Sequence, residues 1–501
     1  MKRKTTNYQM AFLAAALTFA GACSTMGQTV RETSWENQLS YLGDGEVAVD
    51  AELLIGVMRD IHPGYLRYRS ESDARAAEQE LRRSAADSKD VGSFFLAVSG
   101  FLAAIRCEHT EAELPVAISL WRGANPTMLP VRFVWVQNTA IIVAVAPGVS
   151  GIEIGDELMD VDGHSMLMLF EEMSRYISVD GFTDRTKASL FAGSDDVGLT
   201  TFDVYYPLLH GCRESFLLTV RSPNGDRREL RVPAVDERAS LAARGLSDAQ
   251  VNFSDAGAVS WRQRGTAAVL TINTFVNYRT PVVPDEVFGP VFKEIKKSGL
   301  ERLVLDLRLV GGGSTDVMGS LLRHLIDKPI TVGGPSRVKT YDFAKYREYL
   351  STWDESVFSM PASLFTADGT GLYTVSPEIV GGIQRIEPAA EAWRGPLTVL
   401  IGPGNESGAT ILLAELLDDR QMTLIGQPTG GSAEGPTAGV IAFLSLPASQ
   451  IVVRVPLLWT TTSLKGFVHG QGIAPDIEVP MTIGDVRAGR DPALDLAAGR
   501  K

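Results

Sequence analysis

The chain has 501 residues, 45% hydrophobic and 21% charged, with 60 acidic against 47 basic side chains and a formal charge of −13. That is ordinary globular usage and excludes a disordered tail protein, a coiled coil and a collagen-like chain. The acidic balance argues against a nucleic-acid partner, which needs a basic face. Three cysteines, with neither CxxC nor HExxH, announce no disulfide scaffold and no metal site.

Residues 1–22 read as a signal peptide. Lys2, Arg3 and Lys4 precede the short apolar run Met10–Gly21, and Ala20-Gly21-Ala22 fits a signal-peptidase site. Cys23 follows directly, so the stretch is similar to a bacterial lipobox, with Ala20 where Leu is usual. Lipidation at Cys23, plain secretion and a buried N-terminal helix are the three alternatives. The first two make the mature chain exported, as a periplasmic protein or an outer-membrane-associated lipoprotein. Loss of the leader's three basic residues takes the charge to −16. No later run of about 18 apolar residues follows, so a lipid anchor is the expected membrane contact. In an oxidising compartment Cys107 and Cys212 are a possible disulfide pair, with two buried thiols as the alternative.

Residues 31–115 predict an N-terminal helical region. Apolar spacing marks Val49–Met58, stopped by His62-Pro63-Gly64, then Arg75–Arg83 and Val91–Ile105. Residues 125–235 switch to short strands at Val131–Val136, Ala140–Val145 and Phe216–Val220, a small β-rich module. Residues 240–255 read as a linker or connecting helix. From 258 to 482 strands alternate with amphipathic helices: Ala267–Ile272, Pro284–Ser298, Leu303–Leu307, Thr315–Asp327, Leu397–Ile401, Ser407–Asp418 and Met422–Ile425, with strands again over Pro447–Pro456. This is the signature of an α/β fold with a largely parallel sheet. Residues 483–501 are polar and predict a loose tail.

Two strand-to-helix junctions carry chemistry. In Asp306-Leu307-Arg308-Leu309-Val310-Gly311-Gly312-Gly313-Ser314, consecutive glycines let backbone N–H groups converge near a helix N-terminus, as an oxyanion hole requires. A tight turn or a phosphate cradle stays open, although no Gly-Lys-[Ser/Thr] follows. In Gly402-Pro403-Gly404-Asn405-Glu406-Ser407-Gly408, a serine opens a helix at the sheet's carboxyl edge, with the Gly408 N–H beside it. Helix capping is the competing reading of Ser407. Of six histidines, His109 stands out in the polar step Cys107-Glu108-His109-Thr110 that closes an apolar helix.

Six segments in order resemble the tail-specific (C-terminal-processing) serine protease family, and most of all its tricorn-core and retinoid-binding-protein-like branch. They are Ile61-His62-Pro63-Gly64-Tyr65, Cys107-Glu108-His109-Thr110, Gly155-Asp156-Glu157-Leu158, Leu305–Arg308 with its glycines, Gly426-Gln427-Pro428-Thr429-Gly430-Gly431, and Gly470-Gln471-Gly472-Ile473-Ala474-Pro475-Asp476-Ile477. The resemblance implies a ClpP/crotonase-like core over 258–482 and a PDZ-like module over 125–235. It implies Ser407 as nucleophile, His109 as general base, and Gly311, Gly312 and Gly408 as oxyanion donors. The lysine of the dyad branch is absent, since Ser432 stands near its place. His469 stands where a supporting Glu is usual, which leaves Glu108, Glu434 or His469 to support His109, or no residue at all. An exported serine peptidase acting on a peptide or protein substrate without cofactor is the expected function. A non-catalytic protein holding a peptide or a hydrophobic ligand on the same fold is the alternative, and a hydrolase of another ester or amide a third.

Overall fold

A computed structural model describes residues 34–39, 43, 45–193, 200–243, 252–377 and 384–499. The leader and Cys23 lie outside the described residues, as do residues 244–251 of the expected linker. Among the described residues no helix is long and apolar enough to cross a membrane.

After a one-turn helix at Trp35–Gln38 come three longer helices: α1 (Glu46–Ile61), α2 (Glu71–Asp87) and α3 (Val91–Ala103). Ser70 with Asp73, and Asp90 with Ser93, form capping boxes that fix the starts of α2 and α3. These helices do not bury their apolar faces alone. Leu54, Met58, Phe94 and Leu102 share one hydrophobic cluster with Leu444, Val453 and Val455, far along the chain. The expected strand over Pro447–Pro456 is the second arm of a hairpin, Ile441–Ser445 with Val452–Pro456, which turns at Gln450 (φ 57°). Ala112–Glu113 pairs with its outer edge. The N-terminal block and the C-terminal half are therefore joined by a common core.

The middle block is an antiparallel sheet in the order Val131–Val136, Thr139–Val145, Glu157–Val161, Ser215–Arg221, Arg227–Pro233. The strands at Val131–Val136, Thr139–Val145 and Ser215–Arg221 fall where the patterning put strands, whereas Glu157–Val161 and Arg227–Pro233 were not read. Three short helices, Met166–Met173, Thr186–Ala192 and Thr201–His210, were not legible in the sequence; the last carries Pro207 inside.

The α/β core holds β1 (Val259–Arg264), β2 (Ala267–Ile272), β3 (Arg302–Asp306), β4 (Leu397–Ile401), β5 (Thr423–Gly426) and β6 (Ile477–Glu478) in the order β6-β5-β4-β3-β2-β1. All neighbours are parallel except β1 on β2. Helices α4 (Pro284–Lys297), α5 (Thr315–Leu325) and α6 (Ser407–Asp419) supply the crossovers. Phe288, Phe292, Leu321 and Leu413 pack on one face of the sheet.

The other face corrects the expectation of a loose tail. A parallel sheet must be covered on both sides. Val269, Val304, Leu400 and Ile425 are covered by Ala493, Leu494 and Ala497 of the helix Pro492–Ala497. Arg308 clamps this helix in place, its guanidinium bonded to both oxygens of Asp306 (2.9 and 2.7 Å) and of Asp491 (2.9 and 2.7 Å). Of the two readings of Cys107 and Cys212, the possible disulfide is not formed. Cys107 is buried in the shared core with Sγ directed at the Thr437 carbonyl at 3.5 Å, whereas Cys212 lies partly exposed at the margin of that core.

Leu494→Ala is expected to cost about 2–5 kcal/mol of stability in denaturant unfolding, the range for a buried leucine. A loose tail would give a change within about 0.5 kcal/mol.

Candidate active site

β3 and β4 are adjacent and parallel, with Asp306 opposite Leu400. Their carboxyl ends therefore release the Gly311–Gly313 loop and the Ser407 turn side by side, in the crevice where open α/β sheets place ligands. Asn405 stitches the two loops together. Its Nδ2 donates to the carbonyls of Leu307 (2.5 Å) and Val310 (3.2 Å), its Oδ1 accepts from Gly402 N (2.9 Å), and its own carbonyl accepts from Gly431 N (2.9 Å).

Ser407 has φ 48° and opens α6, whereas Glu406 occupies the N-cap with no side-chain capping bond. The capping reading of Ser407 is thereby overturned. Left-handed backbone at a serine costs about 1–3 kcal/mol and persists only where its surroundings impose it. Gly312 (φ 117°) is the abutting wall. A Cβ at Gly312 would lie 2.8 Å from Ser407 Cβ and 3.0 Å from Gly408 N, so only glycine fits. Ser407, Gly312 and the Gly408 N–H thus converge on one point. Gly311 lies further back, facing the Gly404 carbonyl.

The His109 step arrives from the loop after α3. His62 is fully buried. Its Nδ1 accepts from Gly64 N (3.0 Å), so its Nε2–H donates to Thr110 Oγ1 (2.8 Å). The His62-Pro63-Gly64 sequence therefore does more than stop α1: it anchors the residue beside His109. His109 keeps 18% of its side-chain surface exposed, and its Nδ1 lies 3.3 Å from Glu108 Oε1, close but not aligned as a hydrogen bond. Burial pushes the Glu108 carboxyl well above the usual range, and the charges of Glu406 and Asp180 push the same way, while the backbone N–H of Ser407 pulls it down. Glu108 thus lies beside His109 and feels the backbone of the Ser407 turn. Burial, then the charge of Arg454, lowers His109 to about 4. Burial, then the charges of Arg69 and Arg67, lowers His62 to about 3.

The three expected supports of His109 separate. Glu108 is beside it. Glu434 is committed elsewhere: its carboxylate accepts from Gly470 N (2.8 Å) and Ser432 Oγ (3.3 Å), and lies 3.6 Å from Arg67 Nη2. His469, half exposed, reaches that same carboxylate at 3.2 Å. Ser432 is buried, with its N–H donating to Asp180 Oδ2 at 2.9 Å. Arg67, Asp180 and Asn405 escaped the sequence reading. Asn405 lay within the quoted junction as an unexplained polar residue, whereas Arg67 and Asp180 carried no local signal. The glycine motifs at 426–431 and 470–476 are close backbone approaches: a Cβ at Gly472 would meet the Thr429 carbonyl at 2.1 Å, and Thr429 Oγ1 accepts from Ile473 N at 2.8 Å.

Residues 266–479 match Peptidase family S41. A probable CtpA-like serine protease of Staphylococcus aureus (strain N315) is 23% identical over 221 residues, which is 44% of this chain and 35% of that protein. The chain thus matches about a third of the length of this curated relative. Mature CPAF superposes over 88% of this chain and 94% of its own, with a TM-score of 0.56 at 16% identity. Its complex with lactacystin gives 0.58 at 17%, over 88% and 95%. At such identities the likeness establishes the fold.

A histidine held neutral by burial stabilises the fold at high pH and loses that contribution as pH falls from its unfolded value, about 6.5, toward its folded one. Asp180, raised to about 6, and Glu108 act in the opposite sense, because the native state binds their protons first. Comparing wild type with His62→Gln leaves both carboxyls in place and isolates His62. The wild-type advantage in denaturant unfolding is expected to shrink by about 1.4 kcal/mol per pH unit between pH 6.5 and 4. A pH-independent difference would contradict a neutral buried His62.

Proposed function

This chain carries a peptidase family S41 domain over residues 266–479, and from that premise we propose that it is a serine peptidase in which Ser407 attacks the carbonyl of a peptide bond. The observation that carries the reading is the left-handed turn at Ser407 pressed against Gly312 and the Gly408 N–H. Such a turn presents Oγ at the end of β4 and aims backbone donors at the place where an oxyanion would form. His109 takes the serine proton as Oγ bonds to the carbonyl carbon. The N–H groups of Gly312 and Gly408, with Gly311 behind, hold the resulting oxyanion. Collapse of that intermediate breaks the C–N bond, His109 returns its proton to the leaving amine, and water activated by His109 then releases the acyl group.

Glu108 is the residue that orients His109 in this scheme, by its place beside Nδ1. Glu434 and His469 serve instead to fix the Gly470 turn. The leader fits export, with Cys23 as the point of lipid attachment, and the middle sheet fits a PDZ-like module that grips a peptide strand. A binding protein on the same fold is the second reading, favoured by the unaligned contact between Glu108 and His109.

A fluorophosphonate probe separates the two. The wild type is expected to label at a single serine, Ser407→Ala to abolish labelling, and His109→Gln to slow it by about 100-fold or more. Undiminished labelling in Ser407→Ala, or none in a wild type whose crevice admits the probe, removes the peptidase mechanism.

A further inference from the structure

The middle block reaches the site through one segment, residues 178–184, which touches both halves of the crevice. Toward the His109 step, Ser178 Oγ donates to the Thr110 carbonyl (2.9 Å) and Gly181 N to the Arg106 carbonyl (3.0 Å). Arg106 Nη1 returns a bond to the Gly181 carbonyl (2.9 Å) and reaches Asp184 Oδ2 (3.2 Å). Toward the core, Asp180 Oδ2 accepts from Ser432 N (2.9 Å) and Phe182 N donates to the Gly470 carbonyl (2.6 Å). The fit is close: a Cβ at Gly181 would lie 2.4 Å from the Gly470 carbonyl oxygen.

We infer that Asp180 is a positioning residue of the site, the charged centre of a clasp by which the middle block sets the His109 step against the loops that hold the Ser407 turn. The inference rests on the peptidase reading above. Asp180 suits this place because it is 1% exposed and its acceptor role to Ser432 N spans two blocks that share no strand pairing. The Ser432 loop in turn carries Gly430 and Gly431 against Glu406 and Thr410, the neighbours of Ser407. A shift at Asp180 is therefore passed to the nucleophile turn on one side and to Thr110 on the other. Asp180 Oδ1 is buried without a hydrogen-bond partner, so the carboxylate is retained despite its desolvation cost. The groups that face it from the surrounding elements are Arg67, Glu434, Tyr68, Cys107 and Glu108. Burial raises Asp180 to about 6, so its charge is lost under mild acid.

The test uses the full chain and reads the second-order rate of fluorophosphonate labelling at Ser407 across pH, with thermal melts alongside. Asp180→Ala is expected to slow labelling roughly tenfold at neutral pH, the effect of losing one charge-assisted bond. Asp180→Asn keeps an oxygen for Ser432 N but lacks the charge at every pH, so it should label at neutral pH at the lower rate the wild type shows in mild acid, and its profile should lose the limb that Asp180 causes. A merely structural residue would lower the melting temperature and leave the limb in place, and that outcome overturns the inference. So do wild-type rates and profile in both variants. Should Asp180→Ala fail to fold, the limb of Asp180→Asn decides. A wild type that does not label at Ser407 removes the peptidase reading itself and this assignment with it.

Discussion

The parallel pairing of β3 with β4 is the constraint on which the site depends. It brings two strand ends to one edge, so that a glycine loop and a serine turn leave the sheet within van der Waals reach of each other. Neither loop holds its shape unaided. Ser407 occupies left-handed backbone that a serine avoids, and Gly312 occupies backbone that a residue with a Cβ avoids. Asn405 offsets both costs, spending its side-chain amide on carbonyls of the glycine loop and its backbone oxygen on Gly431. The strain is local and the restraint comes from three loops at once, which is how an unfavourable backbone state persists at a reactive position.

A second constraint is electrostatic. Glu108, Asp180 and Glu434 are all at least nine-tenths removed from solvent in side chain or residue, and carboxylates placed this close repel one another. Arg67 answers part of that charge. Its guanidinium bonds the Gly435 carbonyl at 2.8 Å, sits over Tyr68 and Trp459, and lies 3.6 Å from Glu434. Glu434 gains backbone donation from Gly470 besides, and its carboxyl is held below the usual range. Glu108 and Asp180 are pushed the other way by burial and by their like-charged neighbours. One carboxylate is stabilised as an anion for structure, whereas burial disfavours ionisation of Glu108 and Asp180.

The sequence made these features legible to different degrees, and the differences have physical causes. The junction at Ser407 and the glycines at 311–313 could be read directly, because strand, turn and helix signals sit within a dozen residues. The α/β alternation and three strands of the middle block were legible for the same reason, whereas Glu157–Val161 and Arg227–Pro233 were not. His109 stood out as a polar step closing an apolar helix, but its role as a base came only from the family resemblance, and its anchor His62 looked like a helix stop. The clasp at Asp180 joins residues 252 positions apart, and no local pattern reports such a contact. The tail was misread because its polar residues outnumber the three small or apolar side chains that cover the sheet. The pairing of Cys107 and Cys212 was left open because parity and compartment carry no information about whether two cysteines lie close together.

The burial that lowers His109 and raises Glu108 bears on how the proposed reaction would proceed. In the resting site burial disfavours a charge on either group taken alone. Attack by Ser407 would create two charges together, a negative one among the glycine N–H groups and a positive one on the imidazole. The positive imidazole, 3.3 Å from Glu108 Oε1, lowers the cost of ionising that carboxyl. A carboxylate at Glu108 would stabilise that imidazolium by its charge alone, with no proton transfer of its own. The acid that looks unsuited to support His109 in the ground state is thus better matched to the transition state, where support accelerates the reaction. Burial that penalises each charge singly also strengthens the attraction between them once both are present.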